Sequence, residues 1–171
     1  MARQSLPKSL LVYSATPTSA SQDANLLPSP EPNALAVVLD TNTVLDWLVF
    51  RDAGMAAVAS AVQAGTVRWL ACSRMRDELS RTLTYPTLAK WGPNSEQTLT
   101  IFDRHATLLP TPTIAPLHLR CSDTDDQVFL DLALAHRASW LLTHDRALLR
   151  LARRARAHGL QVTQPRHWQP A

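Results

Sequence analysis

The sequence contains few of the residues that define several classes of protein. Its 171 residues include only two cysteines, Cys72 and Cys121, and only four glycines. Two isolated cysteines exclude a disulfide-built scaffold and argue against a cysteine-ligated zinc site. So few glycines exclude a collagen-like chain. No apolar run approaches the roughly 20 residues that span a bilayer. We therefore expect a cytoplasmic protein with buried thiols and no membrane partner.

Lysine is also scarce, and the positive charge is carried almost entirely by arginine. Of the 17 basic residues only Lys8 and Lys90 are lysines, and from Arg137 onwards seven arginines accompany a single acid, Asp145. A guanidinium group binds phosphate oxygens two at a time, so this basic stripe favours a phosphate-bearing partner. An ordinary solvated helix face is the alternative.

The chain divides into a polar N-terminal segment and a more apolar remainder. Residues 1–33 are rich in Ser, Thr, Pro, Asn and Gln, and this composition predicts a flexible tail. Residues 34–171 have the apolar content of one domain with a buried core. We therefore predict a tail followed by a single compact domain.

Within that domain, short apolar runs alternate with helical patterns. Thr124 and Gln127 have the spacing of a capping box before one helix, and a proline-rich connector covers residues 110–116. The predicted strands cover 34–39, 67–71, 139–143 and 160–163, and the predicted helices cover 42–50, 54–64, 74–83, 94–106, the segment after 124, and 147–158. Such alternation predicts a three-layer α/β/α fold with a central parallel sheet.

Four acids occupy positions where such a fold gathers ligands. Asp40 and Asp145 follow predicted strands, Asp126 lies in the first turn of a helix, and Glu78 lies inside the helix after the second strand. Ligands of open parallel sheets bind beyond the carboxyl ends of the strands. Each acid has an ordinary alternative as a helix cap or surface ion pair. If the acids converge, their repulsion is best relieved by a hard divalent cation, and the basic stripe then suggests a nuclease.

Four segments in this order resemble the PIN-domain family, and are most similar to its bacterial branch of toxins from toxin–antitoxin pairs. The resemblance extends over about residues 36–168. Its segments are VVLDTN at 37–42, RDEL at 76–79, DTDDQVFL at 123–130 and LLTHD at 141–145. It implies a metal-dependent ribonuclease that acts on RNA, pairs as a homodimer and is held inactive by a cognate antitoxin.

The resemblance also implies roles for individual residues. Asp40, Glu78, Asp126 and Asp145 are the expected catalytic and metal-binding acids, with Mg²⁺ or Mn²⁺ as the cofactor. Asn42 and Thr143 are expected to support these acids or to position the substrate.

The basic stripe supplies further candidates, independent of the resemblance. Arg146, Arg150, Arg153 and Arg154 are candidates for phosphate contacts, and Arg150 and Arg154 lie one helical turn apart and are predicted to share a face. His144 is predicted to take no part, because adjacent residues at a strand end point apart. Trp47 and Trp69 are predicted to pack in the core, with stacking on bases as the alternative.

Two alternatives remain open from the residues alone. The segment 40–44 resembles the start of haloacid-dehalogenase-type phosphohydrolases, but Asn42 stands where that family has a second acid, and Lys90 is the only lysine in the domain. The other alternative is a non-catalytic module that binds RNA or a protein. The presence of all four acids argues against it.

Overall fold

A computed structural model describes residues 35–113 and 119–169, so the predicted tail at 1–33 and part of the proline-rich connector lie outside the described residues. Strands and helices alternate along the chain. The strands are β1 (Leu35–Leu39), β2 (Val67–Cys72), β3 (Ala106–Leu109), β4 (Trp140–Leu142) and β5 (Gln161–Thr163). The α-helices are α1 (Thr41–Leu45), α2 (Ala56–Gln63), α3 (Ser73–Thr82), α4 (Ser95–His105), α5 (Gln127–Ala135), α6 (Arg146–Leu149) and α7 (Ala152–Arg156).

The five strands form one parallel sheet in the order β3-β2-β1-β4-β5. Val38 in the central strand pairs with Leu70 on one side and with Leu141 on the other. All three residues are buried, as expected for parallel strands covered on both faces. The winding direction reverses between β1 and β4, which makes that junction the topological switch point of the sheet.

Helices cover both faces of this sheet, and the predicted three-layer α/β/α fold is confirmed. Right-handed crossovers place α1–α4 on one face and α5–α7 on the other. On the first face, Trp69 of β2 packs against Trp47 and Phe102, with ring centroids 5.6 Å and 4.8 Å apart. Trp69 is therefore a core residue, as predicted. None of the described helices has both the length and the apolar character of a membrane span.

Two elements differ from the sequence-based expectation. Residues Ala106–Leu109 form an edge strand paired with β2, where the sequence predicted only a helix end and a connector. The predicted basic helix over 147–158 is wrong, because it is divided into α6 and α7 at Arg150–Leu151. The amide of Leu151 there donates to the Leu148 carbonyl in a tighter turn. Arg150 and Arg154 therefore do not share one continuous helix.

The predicted capping box is also wrong, because α5 begins at Gln127 itself. The Gln127 side chain accepts a hydrogen bond from the Cys121 amide at 2.7 Å and donates to the Leu119 carbonyl at 3.0 Å. It also donates to the Asp131 carboxylate at 2.7 Å. Gln127 thus anchors residues 119–121 to the start of α5, immediately after Asp126.

Candidate active site

The site is built on the switch point, where β1 and β4 end side by side. Asp40 follows β1 directly and is only 2% exposed. One of its carboxylate oxygens accepts a hydrogen bond from the Thr43 amide at 2.6 Å, which caps α1, and the other accepts one from the Thr143 hydroxyl. The Asp40 amide donates to the Leu142 carbonyl at 3.2 Å. The first acid is therefore held rigidly by both strands.

Asp145 lies just beyond β4 and caps the next helix. Its carboxylate accepts hydrogen bonds from the amides of Ala147 and Leu148 at 2.5 Å and 3.1 Å. Its own amide donates to the Thr143 hydroxyl at 2.9 Å. Thr143 is fully buried and connects the two acids, because its hydroxyl donates to Asp40 and accepts from Asp145. This contact gives a physical reason for the supporting role predicted for Thr143.

The other two acids are less buried and less constrained. Glu78 projects from α3 and accepts a hydrogen bond from the Thr41 hydroxyl at 2.8 Å. Asp126 immediately precedes α5 without a capping hydrogen bond from its side chain. Glu78 is thereby tied to α1, whereas Asp126 owes its position to the backbone that Gln127 anchors.

The electrostatics indicate that the other three acids act on Asp126. Burial and then the negative charges of Asp145, Asp123, Asp40 and Glu78 raise the pKa of Asp126 to about 7. Burial likewise raises the pKa of Asp40, although hydrogen bonds from Thr143 and Thr43 oppose the shift. Burial also raises the pKa of Glu78, against the Thr41 hydrogen bond. The structure thus concentrates negative charge at the end of the sheet.

Three of the acids open into a cleft of about 840 Å³, while Asp145 lies outside its lining. Asn42, predicted to position the substrate, is exposed in this cleft. The charged residues of the lining are Asp40, Asp77, Glu78, Asp125, Asp126, Arg74 and Arg81. The cleft lining therefore contains five carboxylates and two arginines.

The cleft arginines are not the ones that the charge pattern singled out. Arg146 and Arg150 border a separate cavity of about 470 Å³ together with Leu149, and Arg153 and Arg154 are exposed on α7. The sequence suggested Arg74 and Arg81 only as surface ion-pair partners of Glu78 and did not predict them as site residues. Their spacing was an available signal, because residues four before and three after Glu78 lie on the same face of a helix. Arg74 also lies 4.0 Å from the carboxylate of Asp125.

A second unanticipated contact involves His144. Its Nε2 lies 2.9 Å from a carboxylate oxygen of Asp46, which begins a π-helical segment at Asp46–Phe50. His144 is not part of the cleft lining. Asp46 carries no motif of its own, and only the folding of α1 against the end of β4 brings the two residues together.

The donor set suits a hard, hydrated divalent cation. In the described part of the chain, no group of three or more His, Cys, Asp or Glu side chains is arranged to hold an ion among them. Mg²⁺, however, keeps several waters and is commonly held by only one or two carboxylates. Burial and then repulsion by neighbouring acids disfavour the charged form of Asp126, and a cation would relieve both. The residues present fit Mg²⁺ or Mn²⁺ better than they fit softer metals.

Comparisons with known proteins agree with this architecture. A family model described as PIN domain matches residues 36–147, a range that includes all four acids. No curated protein sequence matches the chain. The fold is similar to that in the crystal structure of VapBC2 from Rickettsia felis bound to a DNA fragment from their promoter, with a TM-score of 0.50 and 13% identity. That match covers 75% of this chain and 97% of the other.

Proposed function

The chain belongs to the PIN-domain family, and from this premise we propose that it is a divalent-metal-dependent endoribonuclease. The observation that carries the proposal is the gathering of Asp40, Glu78, Asp126 and Asp145 at the switch point, where burial and then the negative charges of Asp145, Asp123, Asp40 and Glu78 raise the pKa of Asp126 to about 7. A folded protein that keeps such repulsion gains from binding a cation there.

In the proposed RNA cleavage, the four acids serve to hold the cation. Asp40, Glu78, Asp126 and Asp145 would hold Mg²⁺ or Mn²⁺, directly or through water. When bound, the ion supplies activation of the attacking water and stabilisation of charge at the phosphate.

The remaining polar groups position the acids and the RNA. Thr143 orients Asp40 and the start of α6. Arg74 and Arg81 attract the phosphate backbone from the cleft wall, and Asn42 positions the substrate. Arg146, Arg150 and Arg154 extend the positive surface for RNA beyond the cleft.

We further propose that the protein is the toxin of a toxin–antitoxin pair. The four sequence segments are most similar to that branch of the family, and the similar fold comes from a VapBC2 complex. A cognate antitoxin and a homodimer are the expected partners. Co-purification with the product of an adjacent small open reading frame tests the first, and light scattering of the purified chain tests the second.

We assign this activity to the cytoplasm. The reason is that Cys72 and Cys121 are both buried and unpaired, which suits a reducing compartment.

The decisive experiment measures RNA cleavage with Mg²⁺ or Mn²⁺ and with EDTA. Asp126→Asn is the most informative variant, because the Asp126 side chain caps no helix and the amide keeps its shape. We expect cleavage to stop in EDTA and to fall about a hundredfold in Asp126→Asn. Glu96→Gln, an exposed change in the first turn of α4, should leave cleavage unchanged. Full cleavage by Asp126→Asn would contradict the assignment.

The two alternatives have weaker support. The haloacid-dehalogenase mechanism needs a lysine at the site, but the Lys90 ammonium lies 5.6 Å from the ring centroid of Trp91, and Lys90 is not in the cleft lining. A non-catalytic module would bind RNA without metal and leave it intact, even at high protein concentration. The same cleavage assay distinguishes this outcome.

A further inference from the structure

Two large aromatic side chains beside the acidic cleft are exposed to solvent. Tyr85 borders the cleft and is 45% exposed, and Trp91 borders the adjoining groove and is 51% exposed. In the part of the chain that the structure describes, Leu108 is the only other large hydrophobic residue with comparable exposure. Exposed aromatic surface next to a reaction site is a feature of ligand contact.

Phe50 connects the cleft that Tyr85 borders with the groove that Trp91 borders. Phe50 lies in the cleft lining with Tyr85 and packs against Trp91, with ring centroids 4.9 Å apart. Trp91 in turn borders the groove, which has a volume of about 400 Å³. We call Phe50, Tyr85 and Trp91 the aromatic rim. It leads from the acids out of the cleft and into the groove.

The backbone holds the rim in place. Tyr85 precedes and Trp91 ends a 3₁₀ helix at Pro86–Trp91, which begins with a proline and is followed by Gly92. Gly92 has a φ of 55°, in the left-handed region that glycine adopts without a steric penalty. Both ends of the helix are therefore defined, and the aromatic rings are presented from a short, constrained element.

Positive charge accompanies the rim at its groove end, and at its cleft end an arginine lies among the acids. The Lys90 ammonium lies 5.6 Å from the centroid of the Trp91 ring, and Arg51 borders the groove. Arg81 borders the cleft together with Tyr85. The exposed amide side chains of Gln63 and Gln97 also border the groove, where they suit hydrogen bonding to base edges. Aromatic faces interspersed with cations form the surface that single-stranded nucleic acid binds.

We propose that the aromatic rim is a binding site for unpaired RNA bases next to the phosphate to be cleaved. In a duplex the base faces are stacked on one another, so they are not available to Tyr85 or Trp91. The cations favour a phosphate-bearing strand over an apolar peptide. The cleavage part rests on the proposed function, whereas the binding part does not.

The test measures the affinity of a fluorescently labelled single-stranded oligoribonucleotide, and of a hairpin with the same bases in its stem. Both are measured by anisotropy with the full chain in EDTA. We expect the single strand to bind at least about tenfold more tightly than the hairpin, and Trp91→Ala and Tyr85→Ala each to weaken it about tenfold. Trp91→Phe and Tyr85→Phe, which keep an aromatic face, should stay within about threefold of the original chain.

Leu108→Ala is the matched control, because it removes an equally exposed apolar side chain from the edge strand. Circular dichroism verifies the fold of each variant, and Tyr85→Ala with the two phenylalanine variants carries the test if Trp91→Ala does not fold. Unchanged affinity in both alanine variants, or equal affinity for the hairpin, overturns the proposal. If the alanine variants weaken RNA binding but the original chain does not cleave RNA, the binding role of the aromatic rim is supported and only the proposed nuclease activity is refuted.

Discussion

The four acids of the site form two pairs with different roles in the fold. Asp40 and Asp145, the inner pair, each cap a helix and share the hydroxyl of Thr143. Glu78 and Asp126, the outer pair, cap nothing, and only Glu78 accepts a side-chain hydrogen bond, from Thr41. The inner acids are thus part of the folded framework, whereas the outer acids are mainly a concentration of charge.

This difference decides how substitutions are to be interpreted. Removing an inner acid leaves buried donors without acceptors, so loss of activity will be mixed with loss of stability. Removing an outer acid leaves no helix uncapped, and at Asp126 it also relieves the cost of burial and repulsion. Stability and activity should therefore change together at the inner pair and in opposite directions at the outer pair.

Asp40→Ala is expected to have the largest effect on stability. It removes the acceptor of the Thr43 amide and of the Thr143 hydroxyl at a position that is almost fully buried. We expect the free energy of unfolding to fall by about 2–3 kcal/mol in urea denaturation. Asp40→Asn keeps one carbonyl acceptor and should lose about 1 kcal/mol. An Asp40→Ala chain as stable as the original would remove the distinction between the pairs.

Thr143→Val tests the connection between the inner acids. Valine preserves the shape of threonine but neither donates to Asp40 nor accepts from the Asp145 amide. The free energy of unfolding should fall by about 1–2 kcal/mol, and RNA cleavage should fall with it. Thr143→Ser keeps the hydroxyl and should recover most of the cleavage. If serine and valine behave alike, the hydroxyl does not orient the acids.

The sheet and the inner pair follow from short-range features of the sequence. The apolar run that ends at Asp40 identifies a buried parallel strand, and such a strand places the following acid at the sheet end. The predicted strand at 139–143 places Asp145 at the same end of the sheet in the same way. The four segments that resemble the PIN-domain family then add Glu78 and Asp126 as predicted site residues.

The remaining features depend on contacts that no local pattern encodes. The edge strand Ala106–Leu109 is only four residues long and incompletely buried, so its pattern is too short to distinguish it from a helix end. The position of Gln127 resembles a cap, yet its side chain bonds to residues 119 and 121. Arg81 was expected only as a surface ion-pair partner of Glu78, because its place in the cleft wall depends on the packing of α3 against α1.

Asp126→Asn should stabilise the protein at alkaline pH. The unfolded Asp126 ionises near pH 4, whereas in the fold its pKa is raised to about 7. The folded state therefore binds more protons between these values, and stability falls as pH rises from about 4 to 7. Burial raises the pKa of Asp40 and Glu78 as well, so they contribute with the same sign.

The expected gain from Asp126→Asn at pH 8 is about 1 kcal/mol after allowance for the solvent access of this half-buried group. Urea denaturation at pH 5 and pH 8 measures it, and the gain should be smaller at pH 5. Glu96→Gln should show no such difference. Mn²⁺ should stabilise the original chain more at pH 8 than at pH 5, because protons compete for the same carboxylates. If Asp126→Asn stabilised the protein equally at pH 5 and pH 8, the gain would not come from the ionisation of Asp126.

Thr41→Val removes the hydroxyl that donates to Glu78 of the outer pair, just as Thr143→Val removes the hydroxyl that donates to Asp40 of the inner pair. It removes the 2.8 Å hydrogen bond to Glu78, but Glu78 is only half-buried and regains hydration from the cleft. We expect a loss below about 0.5 kcal/mol in urea denaturation, together with a few-fold loss of RNA cleavage, since Glu78 becomes free to change rotamer. Thr41→Ser restores the hydroxyl and should reverse the kinetic effect. A loss as large as that of Thr143→Val would mean that Glu78 is part of the framework, and the division would then separate Asp126 alone from the other three acids.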